Sequence, residues 1–334
     1  MSVCAIGVDL GGSKVAVAVL RDCDLSETVI EPTDCSSSAA LIDQLVALIR
    51  RTRPDRLDAL GIGVPSVVEF ETGRIVSSVN VPLADVALRR VLGERLGVPV
   101  FVDNDANVAA FAEAHDERLA LVAHDLVMLT IGTGVGGGLV LGGRIYRGSG
   151  GAGELGHTLV GLDLAGSTNT DSVSSGPASF PQPGSLEWAA SGHALDRLAV
   201  AAAERDPQSA LGRLHAQGGA TLGADAAKAA HDGDPAAAAL VEIWARRVGI
   251  GVANAINTFD PQEVVIGGGA ARAGELLLEP VKTVAQGYVL PGLGTRTIIR
   301  LARHGVRAGV LGAALLAADE LLAANGNPPT EVHR

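Results

Sequence analysis

The sequence predicts an α/β protein built on mostly parallel sheets with helices over their faces. Three observations carry this. Apolar runs of strand length alternate with segments of helical spacing. Three apolar runs lead into glycine-rich turns: Val8-Asp9-Leu10-Gly11-Gly12-Ser13-Lys14, Gly132-Thr133-Gly134-Val135-Gly136-Gly137-Gly138 and Val265-Ile266-Gly267-Gly268-Gly269. An acidic turn, Asp103-Asn104-Asp105, lies where a strand hands over to a helix. Open α/β sheets place their chemistry at such carboxyl ends.

The elements follow in order. Val3–Asp9 and Val15–Leu20 read as strands of a hairpin turning at Gly11-Gly12. Ala39–Thr52 carries Leu41, Leu45, Leu48 and Ile49 at helical spacing, behind a serine run able to cap it. Leu57–Val64 is a short buried strand that stops at Pro65-Ser66, and Ala84–Leu96 reads as a helix. Val98–Val102 is the next strand and Ala106–Ala114 the next helix. Leu126–Ile131 opens a second unit, followed by a hairpin of Gly137–Leu141 with Ile145–Tyr146. Residues 161–184, rich in Ser, Thr, Asn, Pro and Gly, read as an irregular loop. Ala-rich helices are expected over Leu186–Ala203, Ala224–His231 and Ala236–Thr258. A strand follows at Glu263–Ile266, then a helix-like stretch over Ala270–Leu278 and a closing helix at Gly309–Ala324. This arrangement divides the chain into a small α/β lobe over 1–117, a large lobe with helical insertions over 118–305, and a tail over 325–334. The 306–324 helix is expected to pack back on the small lobe.

Composition bounds the function. The chain has 334 residues, enough for two cores, and aromatics are only 3%, so those cores must be built from Ala, Val, Leu and Ile. A net charge of -11 argues against a nucleic-acid partner, which needs a basic face. No apolar run is long enough for a membrane span, and the N-terminus runs straight into a strand, so neither a membrane partner nor a signal peptide is expected. Cys4, Cys23 and Cys35 are odd in number and outline neither a disulfide framework nor a zinc site. They fit free thiols in a reducing, cytoplasmic setting.

Each candidate site has two readings. Gly11 and Gly12 let the backbone turn its N–H groups toward phosphate oxygens, Ser13 adds a hydroxyl and Asp9 could hold magnesium through water; the plain alternative is a hairpin turn. The Gly132–Gly138 turn repeats the pattern with the Thr133 hydroxyl, or is a bulged hairpin; no helix follows it, so the dinucleotide fingerprint fails. Gly267–Gly269 suits an adenine or ribose against backbone, or is only a strand-to-helix turn. Asp105 is either a catalytic base or the cap of its helix, and Asn104 is suited to a sugar hydroxyl. Glu154 and His157 offer an acceptor and an adaptable donor for vicinal hydroxyls, while a lone His is more often structural. Glu187 is also explained as a first-turn glutamate favoured by the helix dipole.

Taken as an ordered set, these motifs resemble the ROK family of sugar kinases and sugar-responsive repressors, bacterial glucokinases above all. The set also includes Gly61-Ile62-Gly63-Val64-Pro65, Asn104-Asp105-Ala106-Asn107, Gly153-Glu154-Leu155-Gly156-His157 and Gly309-Val310-Leu311-Gly312-Ala313-Ala314. The resemblance implies an actin-like ATPase (ribonuclease H-like) fold, with mixed sheets in two lobes around a cleft. It implies ATP-dependent phosphorylation of a hexose hydroxyl, glucose first, with mannose, fructose, an N-acetylhexosamine or a cyclitol as alternatives and polyphosphate as an alternative donor. Asp105 matches the family's base. Asn104, Glu154, His157 and Glu187 match its sugar ligands, and Ser66 stands near the sugar where the family has Gly. Asp9, Gly11, Gly12, Ser13, Lys14, Thr133 and Gly134 match phosphate-binding positions, and Gly268 and Gly269 match the nucleotide turn. ATP and magnesium, with Asp9 on the metal, and a homodimer are implied. The family's zinc motif of cysteines is replaced here by Pro181-Gln182-Pro183-Gly184-Ser185-Leu186-Glu187, so zinc is not expected. A DNA-binding repressor would need a helix-turn-helix ahead of the first glycine turn, where only five residues precede Ile6.

Overall fold

The computed structural model describes residues 3–161, 180–217 and 223–326. The chain begins with β1 (Cys4–Leu10), β2 (Lys14–Arg21), β3 (Asp24–Leu25), β4 (Val29–Pro32), α1 (Ser38–Thr52) and β5 (Ala59–Val64). Next come β6 (Ser66–Glu69), β7 (Arg74–Ser78), α2 (Leu88–Leu96), β8 (Val100–Asn104) and α3 (Asp105–Glu113). β9 (Leu126–Ile131), β10 (Val135–Leu141) and β11 (Arg144–Ile145) follow, then α4 (Leu186–Ala190), α5 (Gly192–Arg205), α6 (Ala210–Ala216), α7 (Gly223–His231) and α8 (Pro235–Phe259). The chain closes with β12 (Glu263–Gly267), α9 (Glu275–Tyr288), β13 (Ile298–Leu301) and α10 (Ala308–Ala324). Tertiary contacts group Met1–Met128, Gly138–Gly153 and Arg303–Arg334 into one compact unit, and Leu129–Gly137 with Glu154–Ala302 into another.

The first sheet runs β3-β2-β1-β5-β8, with β4 also on β2. β1, β5 and β8 are parallel, while β2 is antiparallel to β1. β1 and β5 are almost wholly buried and read as continuous apolar runs, as strands covered on both faces should. One cover is α1, whose Leu41, Leu45, Leu48 and Ile49 join the core as their spacing predicts; Ser37 caps it by accepting from Ala40 N. The second sheet runs β11-β10-β9-β12-β13.

The helices α10 and α3 lie against the first sheet at very short range. Gly7 of β1 is the register partner of Gly61 of β5. A Cβ on Gly7 would stand 1.9 Å from the Val310 carbonyl oxygen, and one on Gly61 would stand 1.8 Å from that of Ala313. Gly312 answers from the helix side, where a Cβ would meet the Val108 carbonyl oxygen of α3 at 1.7 Å. Glycine is required at all three because backbone occupies the space a side chain would take. Glu113 at the end of α3 is fully buried, and its two carboxylate oxygens accept from the Arg303 and His304 amides at 2.9 and 2.8 Å, which fixes the approach to α10.

Several elements depart from the sequence reading. The expected 186–203 helix is two helices. It breaks at Ser191, whose hydroxyl caps α5 by accepting from Ala194 N, while the chain there is extended. The helix expected from Ala84 begins only at Leu88, after Asp85 adopts a φ of 64°. The stretch over Ala270–Leu278 is a short 3-10 turn (Gly269–Ala273) and then α9, separated by Gly274 at φ 58°. Further pieces, β3, β4, the β6–β7 hairpin, α6 and β13, have no counterpart in that reading. Most of the 161–184 loop and the end of the 325–334 tail lie outside the described residues.

Gly61→Ala should be among the most disruptive single-methyl additions in this protein. Overpacking costs about 1–3 kcal/mol where side chains can yield, and here the obstacle is backbone. A thermal melt should show a fall in midpoint of several degrees or loss of folded protein. An unchanged melt would show that α10 does not rest on this strand.

Candidate active site

The first glycine turn is closed by a Gly11 N–H bond to the Lys14 carbonyl at 2.9 Å. Its carbonyls are held from the β4–α1 connection. The Thr33 hydroxyl donates to Gly11 O at 2.7 Å, Thr33 N donates to Ser13 O at 3.1 Å, and the Cys35 thiol donates to Gly12 O at 3.4 Å. With the carbonyls engaged, the Gly12 and Ser13 amides donate to no protein acceptor among the described residues. Such turned-out amides are anion-binding donors. The side chains of Ser13 and Lys14 are exposed beside them.

Asp9, at the end of β1, lies against Gly309, where a Cβ would be 2.5 Å from the carboxyl carbon. Its carboxylate accepts no hydrogen bond among the described residues. Burial pushes its pKa up from the usual carboxylate value, and the Lys14 ammonium opposes the shift.

At the end of β8, three consecutive polar residues take three different positions. Asp103 is 2% exposed, and its Oδ1 accepts from Asn104 N at 2.8 Å and Asn107 Nδ2 at 2.9 Å. Its Oδ2 accepts from Arg147 Nε at 2.7 Å. The Arg147 guanidinium lies 3.5 Å above the centre of the Phe70 ring and 3.6 Å from Glu320. Asn104 is the helix cap: its Oδ1 accepts from Ala106 N at 2.9 Å and Asn107 N at 3.2 Å. That commits its carbonyl, while its Nδ2 donates to Ser66 O at 3.4 Å and retains a second N–H. Asp105 is the first residue of α3, so the capping reading for it is replaced by Asn104. Its Oδ1 accepts from Ala106 N at 2.8 Å. Gly63 makes the room, since a Cβ there would stand 3.3 Å from Asp105 Cα and 2.6 Å from Val108. Ser66 is buried and donates to the Ser78 hydroxyl, which donates to Val81 O, each at 2.8 Å.

In the second unit, the Gly132–Gly134 turn meets α4 and α5. Gly192 N donates to Gly132 O at 2.8 Å, and Glu187 Oε2 accepts from Val135 N at 2.8 Å. Gly134 is kept bare by that carboxylate, which would lie 2.5 Å from a Cβ. Glu187 therefore has one oxygen on the turn as well as its place in the first turn of α4. Gly268, at φ 77°, packs on the end of β9, where a Cβ would be 2.5 Å from Ile131 O. A cavity of about 470 Å³ lies beside Trp188, and a larger one of about 690 Å³ opens between the two turns. The larger is lined by Thr133, Gly269, His193, Lys228, His231 and Arg272 among others, and its volume is in the range of small-molecule sites. His157 stands edge-on to the Phe180 ring at 5.1 Å, with Nε2 3.7 Å from Glu154 Oε2. Those two contacts orient it from within the chain, and both Glu154 and His157 are exposed. Among the described residues, no cluster of three His, Cys, Asp or Glu could hold a metal.

A family model described as "ROK family" matches residues 5–320. The chain belongs to the ROK family. It is 33% identical over 317 residues to a glucokinase of Halalkalibacterium halodurans, covering 92% of each chain, and 31% identical to an N-acetyl-D-glucosamine kinase of Aliivibrio fischeri, covering 93% and 98%. Among solved structures it resembles a ROK family glucokinase from Streptomyces griseus in complex with glucose and AMPPNP (TM-score 0.76, 30% identity, 94% and 99% covered). It also resembles a ROK hexokinase from Thermus thermophilus (TM-score 0.73, 36% identity, 97% and 100% covered). The fold is that of these ROK kinases, the actin-like ATPase fold. No described helix is long and apolar enough to cross a membrane.

Sequence reasoning did not assign Arg147 or Phe70, nor Asp103 beyond its place in the acidic turn. The one signal was Arg147's position as the last cation before a stretch of 49 residues without Lys or Arg. The cavity residues His193, Lys228, His231 and Arg272 are too scattered along the chain to form a motif.

Asp9 gives a pH test. A carboxyl whose folded-state pKa is raised favours the fold while protonated and costs stability as pH rises through that pKa. Asp9→Asn keeps the shape without the charge. It should raise the melting temperature of the protein in EDTA at neutral pH, with the advantage shrinking to nothing as pH falls toward the usual carboxyl value of 3.8. A variant less stable than the parent at neutral pH would contradict the burial assignment.

Proposed function

We propose that this protein transfers the γ-phosphoryl group of ATP to a hydroxyl of a hexose, the 6-OH of glucose in the first instance. The observation that carries the reading is the division of labour at the end of β8. Asn104 caps α3, and Asp105, the first residue of that helix, stands at the carboxyl end of a parallel strand, where open α/β sheets place their chemistry. Glucokinases among the relatives support the same reading.

Asp105 accepts the proton of the attacking hydroxyl, or orients that hydroxyl, as it attacks phosphorus. In this reading the Gly12 and Ser13 amides, and those of Thr133 and Gly134, would stabilise charge on the transferring group. Adenine and ribose fit the cavity bounded by Thr133 and Gly269. Asn104, Glu154, His157 and Glu187 hold the sugar hydroxyls, with Ser66 beside them. The fit of Asp9 to magnesium rests on its carboxylate, which is half-buried and accepts no hydrogen bond among the described residues. Asp9 would hold the ion through water, and magnesium would supply charge neutralisation for the nucleotide's phosphates. We extend the reading to a cytoplasmic homodimer, checked by its sedimentation at working concentration.

A second reading is a kinase for another sugar or polyol. It is favoured by Ser66, whose buried hydroxyl stands where the resemblance expects bare glycine, and by the N-acetylglucosamine kinase relative.

ADP release measured over glucose, mannose, fructose and N-acetylglucosamine separates the two readings. On the preferred sugar, Asp105→Asn should lower kcat by about 10²–10⁴-fold with little change in melting temperature. Near-parental turnover in that variant would remove Asp105 from the chemistry.

A further inference from the structure

We infer that Arg147 is a positioning residue for this transfer, acting through Asp103 on the turn that presents Asp105; the inference rests on the kinase reading above. Asp103 is assigned no contact with the sugar or the nucleotide. Its carboxylate is instead the hub of the strand-to-helix turn. One oxygen takes the Asn104 amide and the Asn107 side chain, and the other takes Arg147 Nε at 2.7 Å. These bonds grip the residue just before Asp105 and the residue two after it.

The choice of a charged pair needs explaining. Buried ion pairs are weak devices for stability, since well-packed apolar residues of similar volume often do as well or better. An apolar residue at 103 could not accept two N–H groups, however, and a carboxylate that accepts them while 2% exposed needs a nearby cation. Arg147 supplies the charge in a fixed orientation. Its guanidinium plane stacks on Phe70, in the turn between β6 and β7, and its Nη2 is 3.6 Å from Glu320 on α10. Three elements therefore hold one side chain: β8, the hairpin that starts at Ser66, and the closing helix. Lysine could match the charge but not the planar fork or the stacking. The residue also stands at the start of the Gly148–Gly153 run that leads to Glu154, so the same anchor sets where that run departs.

The test is steady-state kinetics on the full chain with ATP and the preferred sugar. Arg147→Met should lower kcat by about 10²-fold, the scale of a 1 Å misplacement of a catalytic group, and leave the KM for ATP unchanged. Arg147→Lys should fall between that variant and the parent. Added guanidinium ion should restore turnover to Arg147→Ala, which a general loss of stability would not allow. Asp103→Asn combined with Arg147→Met should be no slower than the slower single variant, because both cut the same coupling. If Arg147→Met does not fold, the Lys and Asp103→Asn variants carry the same comparison. Parental kcat in the Arg147 variants, with Asp105→Asn inactive, overturns the positioning role and leaves the kinase reading standing. Absence of turnover by the parent on every sugar overturns both.

Discussion

The bare patch made by Gly7 and Gly61 is the constraint on which the rest of the first unit depends. The two glycines are register partners on neighbouring parallel strands, and the backbone of α10 fills the space above them. Because main chain rather than side chain occupies the gap, the helix cannot drift without opening a void along both strands. Its depth sets the rest. Gly312 brings α10 against α3, and Gly309 brings its first turn against Asp9. Gly63, two residues along β5 and on the same face, lets α3 start close enough for Asp105 to leave the sheet at the strand end. Side chains of 3% aromatic content suit this architecture, since close backbone approach replaces bulk.

Carboxylates are distributed around this frame by what compensates them. Glu113 and Asp103 are the deeply buried ones, and both are saturated by donors that shape a turn. Glu187 holds the 132–134 turn with one oxygen. Asp9 alone of these has no donor among the described residues, and its pKa rises accordingly. Saturated carboxylates build the scaffold, and the one without donors lies on the strand that leads into the Gly11–Ser13 turn.

Much of this was legible in the sequence because local chemistry dictates it. The β1–β2 hairpin, α1 with its serine cap, β9 and α8 follow from apolar period and turn residues. What was not legible has physical causes. The break between α4 and α5 was hidden because Ala-rich helical spacing continues through Ser191-Gly192, and only the docking of Gly192 on Gly132 decides it. The β6–β7 hairpin is half-exposed and short, so its alternation is faint. The pairing of Asp103 with Arg147 spans 44 residues, and no local rule reaches that far. The carboxylate turn itself was visible, but which of its residues caps the helix was not, since Asn and Asp cap about equally well.

That last ambiguity resolves in a way that explains the order Asp-Asn-Asp. A strand that ends in a helix must satisfy the first amides of the helix, anchor the bend and still present a side chain outward. One residue cannot do all three. Asp103, still on the strand and pointing inward, takes the anchor, where a full negative charge is needed to hold Arg147. Asn104, in extended conformation at the bend, takes the cap, where a neutral amide accepts two N–H groups and adds no second buried charge beside Asp103. Asp105, already helical, has the cap behind it, and its Oδ1 accepts from Ala106 N. Exchanging the first two residues would place a charge at the cap and a neutral group opposite Arg147, leaving that guanidinium without its buried counter-charge. The sequence of the turn is thus set by electrostatics along consecutive positions, with Asp103 as the anchor and Asn104 as the cap ahead of the first helical residue.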